Sequence, residues 1–310
     1  NAAITSFRQA LKYKPDFPDA YNNLGNAHKE QANLSAAITS YQQALKLKPK
    51  DPEIYNNLAL TFLLKGDYQQ GWLGNEYRFK RSKKPIIPHA NPLIPQWHGE
   101  TLNSGEQLCV VTEQGLGDTI QFMRYIPYLQ QQGIDVSFCA QPKLHDLIKA
   151  SGIISNPLTP KQGNEIKEGK WIPLLSVPRL LDVTANNPVV NDPYIHCSKL
   201  ITAKWKERLS TEQKPIIGIN WQGNPGTEKN LLKGRSIPLE LFSIIVKNHD
   251  CKFLSLQKGF GAEQLETCSF KDQFVHCQDQ INEVWGFLET AAIIANCDLV
   301  ITSDTSIAHL

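Results

Sequence analysis

The sequence lacks the features that would place it in a membrane, on nucleic acid or in a disulfide-rich class. No segment approaches the ~18 consecutive apolar residues that a membrane span needs. Neither sign of charge dominates, since 32 Lys and Arg face 30 Asp and Glu without a long basic run, which argues against a nucleic-acid-binding protein. The seven cysteines form no CxxC pair, which argues against a disulfide framework and a zinc site. These absences predict a cytoplasmic protein, either free or at the inner face of the membrane.

The length of the chain suits two or three domains rather than one. Its 310 residues are 41% apolar, which is enough for more than one hydrophobic core. The chain begins at Asn1 rather than Met, and it stops at Leu310 within a segment that reads as a helix. We therefore expect it to be a fragment of a longer protein.

The N-terminal part of the chain repeats itself with a period of 34 residues. Residues 1–34 and 35–68 are identical at 16 of 34 positions, and the segments AAITS, QALK and YNNL recur in register. This period, with a small residue inside the QALK segment and a proline that closes each unit, resembles the tetratricopeptide repeat. The resemblance implies stacked helix pairs, because one pair cannot bury its apolar face alone. Pro18 and Pro52 are expected in first turns, where a missing N–H costs nothing.

The repeats offer a candidate surface for a protein partner. Two pairs of asparagines recur at the same place in the repeat, and their side-chain amides could clamp a peptide backbone: Asn22, Asn23, Asn56 and Asn57. The alternative is that these asparagines belong to the repeat consensus and that the segment is a helical spacer.

A capping helix and a proline-rich linker are predicted after the repeats. The segment GWLGNEYRF at 71–79 follows the last unit and carries three aromatic residues, which suit a helix that docks on what comes next. We place the repeats and this cap in residues 1–82. Four prolines then fall between 83 and 106, a density that allows neither a helix nor a central strand. Trp97 is expected to pack this linker on the following domain.

From residue 107 onward, short apolar runs alternate with helical segments. This order predicts parallel sheets covered by helices on both faces, in an N-terminal lobe at 107–198 and a C-terminal lobe at 199–310. The predicted strands are 107–112, 135–139, 171–175, 216–221, 252–256 and 298–302. The predicted helices are 119–132, 144–150, 199–209, 238–247 and 283–296. The expected fold is thus an α-solenoid followed by two tandem Rossmann-like α/β domains, the second incomplete at its C-terminus.

Several polar loops fall where the predicted strands end, which is where ligands bind in such folds. After the first strand come Gln114, Gly115, Gly117 and Asp118, and this aspartate could take a proton from an acceptor hydroxyl or simply cap a helix. The second lobe contributes loop residues, most of them with hydroxyl, amide or cationic groups, that could hold a diphosphate, against the alternative of ordinary loop and cap residues. These are Asn220, Trp221, Gly223, Arg235, Gln257, Lys258, Ser303, Asp304, Thr305 and His309.

Five segments in this order resemble the catalytic region of the heptosyltransferase-like glycosyltransferases of family nine. They are GLGDTIQFMRYIP, GINWQGNP, GRSIPLELF, FLSLQKG and DLVITSDTSIAHL. The resemblance implies a GT-B fold and an inverting transferase of hexosyl or heptosyl type that uses a nucleotide-diphosphate sugar and no metal or other cofactor. It assigns Asp118 as the base and Arg235 to the donor phosphates. Residues 303–305 and His309 would then form the diphosphate-binding turn.

The repeats open two interpretations of the whole chain. Repeats joined to a two-lobed transferase are similar to the O-linked N-acetylglucosamine transferases, so the acceptor could be a protein or a glycan, recruited directly or through a partner. The alternative is a non-catalytic scaffold with a degenerate transferase domain. An NAD-dependent enzyme is disfavoured, because no GxGxxG with an acidic residue about 20 positions later is present.

Overall fold

A computed structural model describes residues 2–82, 85–190, 192–230 and 234–310. Residues 83 and 84, where the linker is predicted to begin, lie outside this range. The contacts within the chain group into two units. Unit 1 contains Asn1–Gln114, Tyr128–Val136 and Asn164–Asn191, and unit 2 contains Gly115–Pro127, Ser137–Gly163 and Asp192–Leu310. The domain boundaries drawn from the sequence remain predictions.

Unit 1 begins with the helices of the repeats, as the sequence predicts. They are α1 (Ala2–Tyr13), α2 (Pro18–Glu30), α3 (Leu34–Leu47), α4 (Pro52–Lys65) and α5 (Tyr68–Asn75). Both expected prolines occupy first turns, and the Asp51 carboxylate caps α4 by accepting from two backbone N–H groups. The Tyr41 ring fills the core between α2 and α3, and a side chain at Gly25 would collide with it. This contact explains why the first repeat carries a glycine there.

The cap and the linker also lie in unit 1. A 3-10 helix, Glu76–Phe79, continues α5, and the Tyr77 ring stacks on Tyr55 of α4 with centroids 4.2 Å apart. The described residues of the linker form no helix, as expected from their prolines. Trp97 is buried, and its backbone N–H donates to the carbonyl of Trp171 at 2.8 Å. The predicted packing role of Trp97 is confirmed.

The first sheet has three strands at the predicted places. They are β1 (Leu108–Val111), β2 (Val136–Cys139) and β3 (Lys170–Pro173), in the order β2-β1-β3. β1 and β3 run parallel, with Leu108 opposite Lys170. Every residue of β1 is buried, which explains why this strand reads as a continuous apolar run rather than an alternating one.

The second sheet lies in unit 2 and is also parallel. Its strands are β4 (Ile216–Asn220), β5 (Lys252–Ser255) and β6 (Leu299–Thr302), in the order β5-β4-β6. Separate buried clusters surround it, one containing Trp205 and Leu254 and the other containing Trp221 and Phe253. The predicted fold class, helical repeats followed by two parallel α/β regions, is therefore present in the structure.

The remaining helices flank these sheets. They are α6 (Leu116–Phe122), α7 (Tyr125–Gln131), α8 (His145–Ala150), α9 (Pro160–Asn164), α10 (Val177–Leu180), α11 (Lys199–Leu209), α12 (Pro225–Asn230), α13 (Ser243–Asn248), α14 (Gln278–Asn282) and α15 (Phe287–Ile294). No helix in the described part of the chain combines the length and the apolar character that crossing a bilayer requires.

Three predicted helices differ from the structure, each for a local reason. The segment 119–132 is divided into α6 and α7, because Pro127 has no N–H to continue one helix and fits only in the first turn of the second. The segment 283–296 begins as a helix only at Phe287, after the N-cap residue Gly286. The segment 238–247 opens with a 3-10 helix, Leu239–Phe242, before α13.

Candidate active site

The glycine loop before α6 places Asp118 in the first turn of that helix. Gly115 is the N-cap residue, and its N–H donates to Oδ2 of Asp118 at 2.9 Å. The aspartate therefore fills the ordinary capping role that was its alternative reading in the sequence. Gln114 is exposed and holds a φ of 63°, a left-handed conformation that is uncommon outside glycine.

In unit 2, α6 packs on the 3-10 turn Ser306–His309 that follows β6. Gly117 lies at this contact. A Cβ atom built there would lie 3.1 Å from Cδ2 of His309 and 3.3 Å from Cα of Ser306. A side chain at this position would make a contact tighter than most Cβ contacts, so a glycine suits the packing of the Asp118 loop against the segment predicted to bind a diphosphate.

Asp118 shares an electrostatic environment with residues of that segment. Its carboxyl group is half-buried, and burial raises its pKa above the ordinary value. The Gly115 N–H and the nearby charge of His309 oppose this effect by favouring the carboxylate, whereas Asp304 adds to it. A carboxylate whose pKa is raised by burial is a better proton acceptor than an ordinary surface aspartate.

An amide and hydroxyl network joins the carboxyl ends of the three strands of the second sheet. Nδ2 of Asn220 donates to Oε1 of Gln257 at 2.9 Å, and Oγ1 of Thr305 donates to Oδ1 of Asn220 at 2.9 Å. The Ser303 N–H donates to the Asn220 carbonyl, which extends the β4–β6 pairing by one residue. Asn220 and Thr305 are thus brought together as predicted, with Asn220 itself buried.

The predicted ligand roles of Trp221 and Gln257 are corrected by this network. Trp221 is fully buried in the core, and its indole N–H donates to the carbonyl of Gly261. Oε1 of Gln257 accepts from Asn220 and from the backbone N–H groups of Trp221 and Gln222, while Nε2 donates to the carbonyls of Gln222 and Phe260. Both side chains are committed to internal partners, so they shape the loops and offer no group to a ligand.

The guanidinium of Arg235 lies against the backbone of Gly223. A Cβ atom at Gly223 would lie 2.9 to 3.0 Å from three atoms of the guanidinium, so a side chain there would displace Arg235 from its present position. The Nε atom of Arg235 is buried and has no hydrogen-bond partner among the described residues. The Oγ atom of Ser303 is likewise buried and unpaired in that part of the chain. Buried donors without acceptors are uncommon in folded proteins, and a bound polar group or water is one way to satisfy them.

Lys258 provides a second cationic group after β5. Its ammonium donates to the carbonyl of Ile281, and burial lowers its pKa from 10.5 to about 8. No carboxylate within salt-bridge distance of it is found in residues 2–82, 85–190, 192–230 and 234–310. Asp304, by contrast, is exposed.

The four asparagines of the repeats do not form a common open surface. Nδ2 of Asn57 donates to Oδ1 of Asn22 at 3.1 Å, and Asn23 is exposed. Asn56 is only 5% exposed, because α4 packs against both α3 and α5. Its burial disfavours contact of Asn56 with a peptide, and the role of all four asparagines in peptide binding stays a prediction.

A buried ion pair in unit 1 was missed by the sequence analysis. Arg78 of the cap and Glu113, which follows β1, bond to each other at 2.7 Å with 2% and 0% of their side chains exposed. The available signal was a glutamate two residues after the fully apolar strand β1. That position is hard to explain without a buried cation.

No group of three or more His, Cys, Asp or Glu side chains that could hold a metal ion occurs within the described ranges. The absence of a metal from the mechanism stays a prediction.

Comparison with known proteins confirms the repeats. Residues 1–32 and 30–66 match the TPR repeat family. Over 96% of its length the chain is 23% identical to the protein FlbA of Caulobacter vibrioides, and it spans 53% of that relative. Among solved structures it is similar to the E. coli ADP-heptose LPS heptosyltransferase II, with 10% identity, a TM-score of 0.40, and coverage of 65% of this chain and 80% of that one.

Proposed function

We propose that this chain is the repeat-bearing part of a glycosyltransferase that moves a sugar from a nucleotide-diphosphate sugar to a hydroxyl group of a protein or glycan. The observation that carries the proposal is the contact of the glycine loop with the turn Ser306–His309, mediated by Gly117. The half-buried carboxylate of Asp118 is under the electrostatic influence of His309, which lies in the turn after a parallel strand, the region where ligands of such sheets bind. The five motif segments that resemble the family-nine transferases support the same function.

Asp118 is the proposed general base. It accepts the proton of the acceptor hydroxyl as that oxygen attacks the anomeric carbon of the donor sugar. The bond from this carbon to the diphosphate oxygen breaks, and the nucleoside diphosphate leaves with the electron pair. Attack opposite the leaving group inverts the anomeric configuration. The burial that raises the pKa of Asp118 suits it to this proton transfer.

Cationic side chains are proposed to stabilise the departing diphosphate without a metal. The unpaired Nε of Arg235 and the ammonium of Lys258 are the groups that we propose for this task among the described residues of unit 2. Fixed cations in a water-poor site stabilise the negative charge that develops on the leaving oxygen. The unpaired hydroxyl of Ser303 is a further donor.

The repeats are proposed to recruit the acceptor or a protein partner. Exposed Asn23 and the bonded pair Asn22 and Asn57 offer amide groups for a peptide backbone. Because stacked helical repeats form extended surfaces, they suit a long polypeptide better than a small molecule.

The release of nucleoside diphosphate from a panel of nucleotide sugars, with protein and glycan acceptors added, tests this function. We expect Asp118→Asn to slow release by roughly 10²- to 10⁴-fold, the usual contribution of a general base. Its stability should hardly change, because an Asn oxygen can still accept from the Gly115 N–H. Asp146→Asn is the matched control, since this exposed carboxylate lies in the first turn of α8, in the same unit.

Equal rates for the wild type and Asp118→Asn would contradict the assignment of the base. If no donor is consumed by the folded wild-type protein, the scaffold interpretation gains support, and Asp118 is then a helix cap only.

A further inference from the structure

The guanidinium of Arg78 holds the carboxylate of Glu113 through two parallel hydrogen bonds inside unit 1. Nη2 donates to Oε1 at 2.7 Å and Nε donates to Oε2 at 3.1 Å. Both groups are essentially removed from solvent. This bidentate geometry fixes the direction of the carboxylate as well as its position, which a lysine could not do.

The same two side chains tie together three segments of the chain. Nη2 of Arg78 also donates to Oγ of Ser176 at 2.8 Å, and Nη1 donates to the carbonyl of Asn75 at 3.0 Å. Oε1 of Glu113 accepts from the backbone N–H of Leu175 at 3.1 Å. Since Glu113 follows β1 and Leu175 follows β3, the pair connects the carboxyl ends of both strands to the cap.

Arg78 is in turn fixed by the last repeat. It belongs to the 3-10 helix that packs on α4, where the neighbouring Tyr77 stacks on Tyr55. Its second carboxylate partner is Glu76, at 3.0 Å and more exposed. A chain of contacts thus runs from α4 to the carboxylate of Glu113 without leaving unit 1.

A buried ion pair is poorly explained as a source of stability. Burial raises the pKa of Glu113, while Arg78 and the Leu175 N–H act in the opposite direction. Replacing such a pair by apolar side chains is often neutral for stability, whereas removing one partner leaves a costly buried charge. The pair is therefore better explained by the fixed orientation that it gives to Glu113 than by a gain in stability.

Glu113 is followed directly by the backbone segment that leads into α6. Glu113 lies one residue before Gln114, whose φ of 63° is strained for a non-glycine residue, and two before Gly115, the N-cap of α6. We propose that Arg78 is a positioning residue that acts through Glu113 to hold the backbone at Gln114, where the glycine loop begins. Its effect on turnover rests on the proposed function, whereas its effect on the loop does not.

Hydrogen exchange measured by mass spectrometry tests the proposal in the whole protein. In Arg78→Met, we expect amides of the segment 113–119 to exchange roughly ten- to a hundredfold faster, the range expected from losing hydrogen bonds to a charged group. The repeat helices α1 to α3 should keep their protection. Arg81→Met is the matched control, because it removes the nearby, half-buried ion pair with Glu53.

Activity and binding supply a second readout. Where the wild type turns over, kcat of Arg78→Met should fall by about a hundredfold, the effect of misplacing a catalytic group by about 1 Å. The Kd for nucleoside diphosphate should change less than twofold. Arg78→Lys keeps the charge but cannot form two parallel hydrogen bonds with the carboxylate. Its exchange rates and its kcat should lie between those of the wild type and those of Arg78→Met. It replaces the Met variant if the latter does not fold.

Unchanged exchange at 113–119 in the Arg78 variant, or an equal increase in all repeat helices and the loop, would overturn the proposal. A wild type without turnover would count against the proposed transferase function alone, because the exchange result is independent of activity.

Discussion

At the scale of single residues, Lys258 lies in an environment unlike that of an ordinary surface lysine. Its ammonium bonds a neutral carbonyl, and burial lowers its pKa to about 8. A cation kept in this state gains a partner when an anion binds. Lys258 is therefore the residue through which pH should act on the affinity for a diphosphate.

We expect the affinity for nucleoside diphosphate to fall as pH rises through about 8, because the free ammonium loses its proton there. Between this value and the ordinary 10.5 the unfolded chain binds the proton and the folded chain does not, so Lys258 adds stability as pH rises. Titration of Lys258 should therefore weaken nucleotide binding while it raises the stability of the fold, so melting temperatures distinguish it from a loss of affinity caused by unfolding. Calorimetry between pH 6.5 and 9.5 checks this, with melting temperatures in parallel. A flat profile in the wild type, or the same profile in Lys258→Met, would count against it.

Sequence reasoning located the residues of the site better than it assigned their roles. It placed Asn220, Trp221 and Gln257 at the carboxyl ends of β4 and β5, which the structure confirms. The sequence alone did not indicate that the side chain of Trp221 is buried in the core. Nor did it indicate that the side-chain amide of Gln257 forms hydrogen bonds with five other groups. Side-chain direction beyond a strand end depends on neighbours distant in sequence.

At the scale of elements, the packing of α6 on the turn Ser306–His309 is the contact on which the site depends. Gly117 lies inside a helix, where alanine is ordinarily the more stable residue by about 1 kcal/mol. Here the added methyl would meet the backbone of Ser306, which cannot move as a flexible side chain could.

We therefore expect Gly117→Ala to lower the free energy of unfolding by about 1–3 kcal/mol, the range found for overpacked contacts. Gly286→Ala is the control, since nothing lies within 4 Å of its Cβ position and its φ of −82° suits any residue. Urea titration of both variants decides the point. An unchanged or higher midpoint for Gly117→Ala would show that α6 and the turn are not packed as described.

Elements with strong local signals were predicted well. All six strands and the helix Lys199–Leu209 fall where their apolar runs and capping residues indicate. The errors occur where periodicity runs across a breaker: Pro127 divides one predicted helix, and Gly286 delays the start of another. At those places the backbone chemistry of a single residue outweighs the apolar pattern.

At the scale of the whole molecule, the order of repeats and parallel sheets follows from the sequence, but the bonds that connect them do not. Arg78 and Glu113 are 35 positions apart and belong to segments predicted as separate units. Self-similarity and strand alternation are local signals. A buried pair formed across such a distance leaves no periodic trace in one sequence.

The proposed function depends on the binding of a nucleoside diphosphate to unit 2 through Arg235. Calorimetric titration of the protein with a panel of nucleoside diphosphates tests it most directly, with Arg235→Ala and Gly223→Ala alongside. We expect one nucleotide to bind selectively and Arg235→Ala to weaken it roughly 10- to 100-fold, as for lost hydrogen bonds to a charged group. Gly223→Ala should weaken it with little loss of stability, because its methyl displaces only the flexible guanidinium. Absence of binding by the folded protein, or equal affinity for the wild type and Arg235→Ala, would contradict the account.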